Sequence, residues 1–283
     1  MKILSDCHVH TSFSGDSPAG MREQIESAVR AGLKVLTFTD HLDLDYPYER
    51  CPDLADGAFD LDIPAAWSEF SALKGLYSDR IELHFGIEMG LLPYLGPAYE
   101  KILSEHPEIE FVIGSTHLSR LPAEGADVYA DPYYLSFFDS MRTEEALRRY
   151  FQVSLECVER CGFFDSYGHL DYIVRYTPDK GLTYKYEDYA DLIDPILRIL
   201  TERGQALELN TSSLRKGCTE PNPCRKILMR FKELGGRMIT VGSDAHRPNE
   251  IAADFREAEK ALSDCGYDSY YVFRNRVPVA IRL

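Results

Sequence analysis

The chain has 283 residues, 45% of them hydrophobic, enough to fill the core of an α/β domain and too many for disorder to be the default. Its formal net charge of −15 argues against a broad nucleic-acid footprint, and no apolar run approaches the roughly 18 residues of a membrane span. The seven cysteines are odd in number and the N-terminal residues turn polar too early for a secretory signal, so a soluble, cytoplasmic protein without a disulfide framework is expected.

The first strand-like run covers residues 2–10 and ends in His8-Val9-His10. A helix follows over 21–31, with Gly32 as its C-cap. The second run, 35–40, leads into His41, and the third, 81–88, ends at Glu88. The fourth, 111–117, closes on Ser115-Thr116-His117, and the fifth, 163–170, carries Gly168-His169. The sixth covers 206–211, and the seventh, 238–244, runs into Gly242-Ser243-Asp244-Ala245-His246. Helical spacing marks 144–160, 189–203 up to Gly204, and 248–262 with Pro248 in its first turn. Residues 46–66 and 121–141 are irregular, rich in Tyr, Pro and Asp, and read as loops over a site. Cys157 and Cys161 lie four apart on a helix and read as ordinary buried thiols.

Strands alternating with helices imply a parallel sheet, and seven such units favour a single barrel domain over an open sheet. No Gly-rich phosphate-binding segment is present to support a dinucleotide or P-loop fold. In a parallel barrel the C-terminal strand ends converge on one face. That face would gather His8, His10, His41, Glu88, His117, His169, Asp244 and His246. Residues i and i+2 of a strand point the same way, so His8 and His10 can reach one ion. Mixed imidazole and carboxylate donors suit zinc, manganese or iron. His84, early in its strand, and His106, before Pro107, read as structural.

These motifs resemble the PHP (polymerase and histidinol phosphatase) family. The resemblance starts at His8-Val9-His10-Thr11 and Ser14-Gly15-Asp16 and passes through Thr39-Asp40-His41, Glu88, Ser115-Thr116-His117 and Gly168-His169. It closes at Gly242-Ser243-Asp244-Ala245-His246. It implies a distorted (β/α)7 barrel and three divalent metal ions. His8, His10, Glu88 and Asp244 would hold the first; Glu88, His117 and His169 the second; Asp16, His41 and His246 the third. An aspartate at position 16, where many members use histidine, is similar to the histidinol-phosphatase branch. The residues from 255 to 273 are loosely similar to it as well.

The activity implied is hydrolysis of a small anionic phosphomonoester, L-histidinol phosphate, with Glu88, Asp244 and His246 as the catalytic residues. Three divalent ions against Asp16, Glu88 and Asp244 leave a positive centre able to attract a phosphate dianion despite the acidic surface. Arg175 and Arg215 are expected to clamp the phosphate; Arg120 reads as a surface charge. Asp6 and Asp40, beside candidate ligands, are expected to orient imidazoles, or Asp6 to join a polar layer inside the barrel. Other phosphoesters, such as nucleotides or short oligonucleotides, are the alternative. An amidohydrolase is disfavoured, because the fourth strand end has no lysine for a carboxylated bridge.

Overall fold

The computed structural model describes residues 2–122, 128–134, 136–139 and 141–283. Seven parallel strands form one sheet in chain order: β1 (Ser5–Val9), β2 (Val35–Leu42), β3 (Glu82–Gly90), β4 (Phe111–Ser115), β5 (Ser166–Tyr167), β6 (Ala206–Asn210) and β7 (Ile239–Gly242). The sheet edges meet. His8 O accepts the Asp244 N–H at 2.9 Å, and Ala245 O accepts that of His10 at 2.9 Å, so β1 joins the end of β7 and the barrel closes. Strands β1, β2 and β4 are buried at every position, as expected for strands with helices outside and side chains filling the inside. The β2–β3 register runs unbroken from Val35↔Glu82 to Leu42↔Met89 and sets His41 level with Glu88.

Helices pack around the barrel: α1 (Met21–Ala31), α2 (Ile63–Tyr77), α3 (Gly96–Glu105), α4 (Thr143–Arg160), α5 (Ala190–Arg203), α6 (Arg225–Glu233) and α7 (Phe255–Asp264). α1 buries Met21, Gln24, Ile25 and Ala28 on one face. It stops at Gly32, and α5 at Gly204, both with positive φ (81° and 65°), where a side chain would be strained. Among the described residues no helix is long and apolar enough to cross a membrane.

The structure departs from the expected boundaries in four places. The fifth strand is two residues long rather than eight; before it, the Asp165 carboxylate accepts the Val112 N–H at 2.9 Å in place of a backbone carbonyl. The helix expected over 248–262 is a 3-10 turn (Pro248–Glu250) and then α7. Ala252 and Asp254 between them have left-handed φ (54° and 59°), with Ala252 N–H bonded to Asp6 and Ala253 O to Thr211. The irregular stretch 46–66 gives way to α2 at Ile63, whose first turn is capped by Asp62 accepting from Ala65 N–H. Residues 121–141 include a short pairing of Tyr129–Ala130 with Ser119–Arg120; positions 123–127, 135 and 140 lie outside the described residues.

A C-terminal hairpin, β8 (Ser269–Arg274) and β9 (Val277–Arg282), underlies the opposite end of the barrel. Phe273 packs on Phe111 with ring centroids 5.1 Å apart, the Tyr270 hydroxyl accepts the Leu4 N–H, and Arg276 N–H donates to Glu110 O. The hairpin covers that end, and a cavity opens at the C-terminal strand ends.

Candidate metal centre

Glu88, fully buried at the end of β3, is the hub. Its Oε1 lies 3.1 Å from His117 Nε2 and 3.0 Å from His169 Nε2, and accepts the Ser115 hydroxyl at 2.6 Å. Its Oε2 lies 3.1 Å from both His8 Nε2 and His41 Nδ1 and 3.5 Å from His10 Nε2. Asp244 Oδ1 continues the cluster, 3.5 Å from His10 Nε2 and 3.6 Å from His246 Nδ1. Asp16 completes it from the β1–α1 loop, 3.0 Å from His246 Nε2 and 3.9 Å from His41 Nε2. All nine expected residues therefore meet at one mouth. Asp244 holds a left-handed φ of 55°, a strain concentrated at this centre.

Three imidazoles have their tautomers set from behind. His8 Nδ1 meets Glu208 Oε1 at 2.6 Å and His117 Nδ1 meets Asp43 Oδ2 at 2.6 Å. His10 Nδ1 meets Ser14 Oγ at 3.2 Å, and Ser14 Oγ donates its own proton to Asp40 at 2.8 Å. Each Nδ1 is thus the donor, and each Nε2 turns a lone pair inward. His117 Nε2 and Glu88 Oε1 then face each other at 3.1 Å as two acceptors. His8 Nε2, His10 Nε2, His41 Nδ1, His246 Nε2 and Glu88 Oε2 are buried without a hydrogen-bond partner. Orphaned buried acceptors are rare and costly. Separations of about 3 Å are what two donors sharing one ion at about 2.0–2.2 Å require. Four triads offer ligand atoms mutually within 4.8 Å: His8-Glu88-His169, His8-His10-Asp244, His41-Glu88-His117 and His10-His41-His246. The donor set fits divalent cations of the zinc or manganese kind.

The electrostatics agree. Burial pulls His41 down, yet Glu88, Asp43 and Asp16 carry it up to about 9. Burial, with His246 and His41, holds His10 down to about 3, which keeps it a neutral donor. The carboxylates demand positive charge, and protons are only a substitute for cations.

Glu208 and Asp43 were not among the expected residues. Both had a weak signal: Glu208 is the one acid inside the apolar Ala206–Asn210 strand, and Asp43 stands two residues beyond His41. Glu208 also accepts the His169 N–H at 2.9 Å, so it orients two imidazoles. Replacing Glu208 by glutamine should lower affinity for the bound cations about 10–100-fold, the usual effect of removing a carboxylate behind a ligating histidine; metal-buffered titration measures it.

Two expected roles change, those of Asp6 and Asp40. Asp6 orients no imidazole: its carboxylate takes the Ser243 N–H and hydroxyl and the Ala252 N–H, tying β1 to the β7–α7 connection. Asp40 acts on His10 only through Ser14. Arg175 lines the cavity but is 2% exposed, and its Nε, Nη1 and Nη2 donate to Asn222, Asp244 and Asn210 at 2.6, 2.9 and 2.7 Å. Three of its five donors thus hold Asp244 and two asparagines, while the guanidinium stays at the cavity wall. Arg120 pairs with Glu156 and Tyr129. Arg215 also lines the cavity: Nη2 donates to Ser243 O at 2.7 Å, while Nη1 is buried at the cavity wall without a partner. His84 contacts Glu82 and Glu110 at the far end of β3, and His106 contacts Glu108. The Cys157 and Cys161 thiols face the Leu91 and Leu92 carbonyls.

Above the centre lies a cavity of about 460 Å³. Both irregular stretches reach it, through Tyr46, Leu54 and Phe59 and through Asp131, Tyr133 and Tyr134. Lys216 and Tyr176 close another side, with Lys216 Nζ 3.2 Å from the Tyr176 hydroxyl.

A barrel whose strand ends gather six imidazoles and three carboxylates beneath a cavity defines a class of α/β-barrel protein with a candidate metal centre at its mouth. The PHP domain family matches residues 6–212, and the chain belongs to that family. It is 32% identical over 265 residues to the probable histidinol-phosphatase of Clostridium acetobutylicum, covering 93% of this chain and 94% of that one. It is 30% identical over 273 residues to the histidinol-phosphatase of Lactococcus lactis, covering 96% and 95%. A crystal structure of histidinol phosphate phosphatase from Lactococcus lactis, complexed with zinc, L-histidinol and phosphate, superimposes with a TM-score of 0.82 at 27% identity, over 98% of this chain and 99% of that one.

Proposed function

We propose that the protein hydrolyses L-histidinol phosphate to L-histidinol and phosphate, a step of cytoplasmic histidine biosynthesis. The observation that carries this reading is the clustering of nine donor side chains with Glu88 at their hub, with buried unpartnered acceptors, at the floor of a cavity sized for a small phosphomonoester. The likeness to the Lactococcus lactis enzyme, crystallised with zinc, L-histidinol and phosphate, supports the substrate.

Three divalent ions would be held by His8, His10, Glu88 and Asp244; by Glu88, His117 and His169; and by Asp16, His41 and His246. When bound, such ions lower the pKa of water and neutralise phosphoryl oxygens. The chain's own residues set the rest. Glu88 presents one oxygen to each side of the cluster and holds the two sides together. Asp244 and His246 line the cavity and bring the edge of the centre to the substrate. Arg215 Nη1 offers a free donor to a phosphate oxygen, and its backbone anchor at Ser243 fixes the guanidinium. Lys216 adds a second positive charge to the cavity lining. Ser14, Asp43 and Glu208 keep the imidazole tautomers constant through turnover.

Replacing Arg215 by alanine should raise KM for the phosphomonoester about tenfold or more, since a hydrogen bond to a charged group contributes about 1.5–3 kcal/mol. Metal content should stay at the wild-type level. Steady-state kinetics with metal analysis check both. The substrate assignment is tested by kcat/KM for the zinc- or manganese-loaded enzyme on a panel of phosphomonoesters. Histidinol phosphate should rank first; faster turnover of a mononucleotide would overturn it.

A further inference from the structure

The cavity has a second polar end. Asp131, 7% exposed, lines the same cavity, held by residues of other elements than those that hold Arg215. Its Oδ2 accepts the Tyr46 hydroxyl at 2.8 Å, and its Oδ1 accepts the Tyr133 N–H at 2.8 Å and the Tyr172 hydroxyl at 3.3 Å. Every one of these donors is neutral, and no lysine or arginine pairs with Asp131 among the described residues. A carboxylate has about four acceptor sites, so one direction stays open. A buried carboxylate without a counter-charge either takes up a proton, as the burial that raises the Asp131 pKa favours, or is met by a cation.

The surrounding rings suit a cation as well. Tyr133 and Tyr176 stand edge to face with centroids 5.5 Å apart, and they already seat one ammonium: Lys216 Nζ lies 5.8 and 5.2 Å from their centroids. Tyr172, which holds Asp131, also packs on His117 and His169 at 5.5 and 5.0 Å. One tyrosine ring therefore separates the Asp131 carboxylate from the candidate metal centre. A ligand that spans the two ends carries a phosphate at one and a cation a few bonds away.

We propose that Asp131, steadied by Tyr46 and Tyr172, is a specificity-determining residue that binds the cationic amine of the leaving alcohol. The subsite would thus select amino-alcohol phosphates from phosphomonoesters at large. The inference rests on the phosphomonoesterase reading of the same cavity.

The test uses the metal-loaded enzyme and matched pairs of esters, ω-aminoalkyl and ω-hydroxyalkyl phosphates of two to four carbons, alongside histidinol phosphate. Wild type should prefer the amine of the best pair at least about tenfold in kcat/KM. Asp131→Asn, which keeps the shape and removes the charge, should abolish that preference mainly through KM, with metal content retained. Tyr46→Phe should reduce it in part. Equal use of both members by wild type, or a preference that survives in Asp131→Asn, overturns the assignment. If no ester turns over, the phosphatase reading fails, and calorimetric binding of the same pairs still decides the subsite: tighter binding of the amine supports it, and equal binding rejects it. The wild-type comparison stands even if the Asn variant does not fold.

Discussion

Glu88→Ala should abolish turnover and strip bound cations from the protein. Each Glu88 oxygen approaches at least two imidazoles at 3.0–3.1 Å, so its loss removes a shared donor from both sides of the cluster at once. Any cations the remaining imidazoles still held would face one another without that carboxylate's negative charge. When one member of a group that acts as a unit is removed, kcat falls by on the order of 10³ or more. Glu88→Gln should behave similarly while keeping the volume, which separates charge from packing. Activity assays with metal quantification after loading check this. Unchanged turnover in a metal-loaded Glu88→Ala enzyme would contradict it.

Gly242→Ala should cripple the centre without touching a candidate ligand. Gly242 ends β7, where an added Cβ would lie 2.3 Å from His8 Cβ and 2.5 Å from Glu208 Oε1. His8 cannot retreat easily, because its carbonyl accepts the Asp244 N–H that closes the barrel. Nor can Glu208, which holds His8 Nδ1 and His169 N–H together. Overpacking of this kind destabilises by about 1–3 kcal/mol. In a chain of this size the melting temperature should fall by several degrees, at about 2–4 °C per kcal/mol. Since the clash falls on His8 and the carboxylate behind it, kcat/KM should fall at least tenfold, by analogy with other losses behind a ligating histidine. Calorimetry and kinetics on the same preparation give both values; a variant with wild-type stability and activity would contradict the packing described.

The centre was readable from the chain because its donors sit where strands end. Strand-like runs rich in β-branched and aromatic residues mark those ends even when the strand limits are wrong. His169 illustrates this: the expected strand is mostly absent, yet His169 still emerges at the mouth. Asp16 depended on the family resemblance, since nothing in its loop spacing distinguishes it from a solvated carboxylate.

Residues that act through others were harder to read. Glu208 and Asp43 are single acids whose partners lie 200 and 74 residues away, and only the closed barrel brings them together. Arg175 and Arg215 look alike in the chain. What separates them is bonding: Arg175 has donors bonded to Asn222, Asp244 and Asn210, while Arg215 Nη1 at the cavity wall has no partner. The break between Pro248–Glu250 and α7 is likewise tertiary, held by Asp6 and Thr211 from other strands. Asp131 lay hidden in an irregular stretch, where a charge without neighbours carries no pattern.

Anomalous diffraction from crystals of the zinc- or manganese-loaded protein soaked in phosphate is the most direct test of the centre. Three peaks are expected among His8, His10, Asp16, His41, Glu88, His117, His169, Asp244 and His246, with Glu88 touching two of them and phosphate beside Arg215. Peaks away from Glu88, or no bound ion at this mouth at saturating metal, would contradict it.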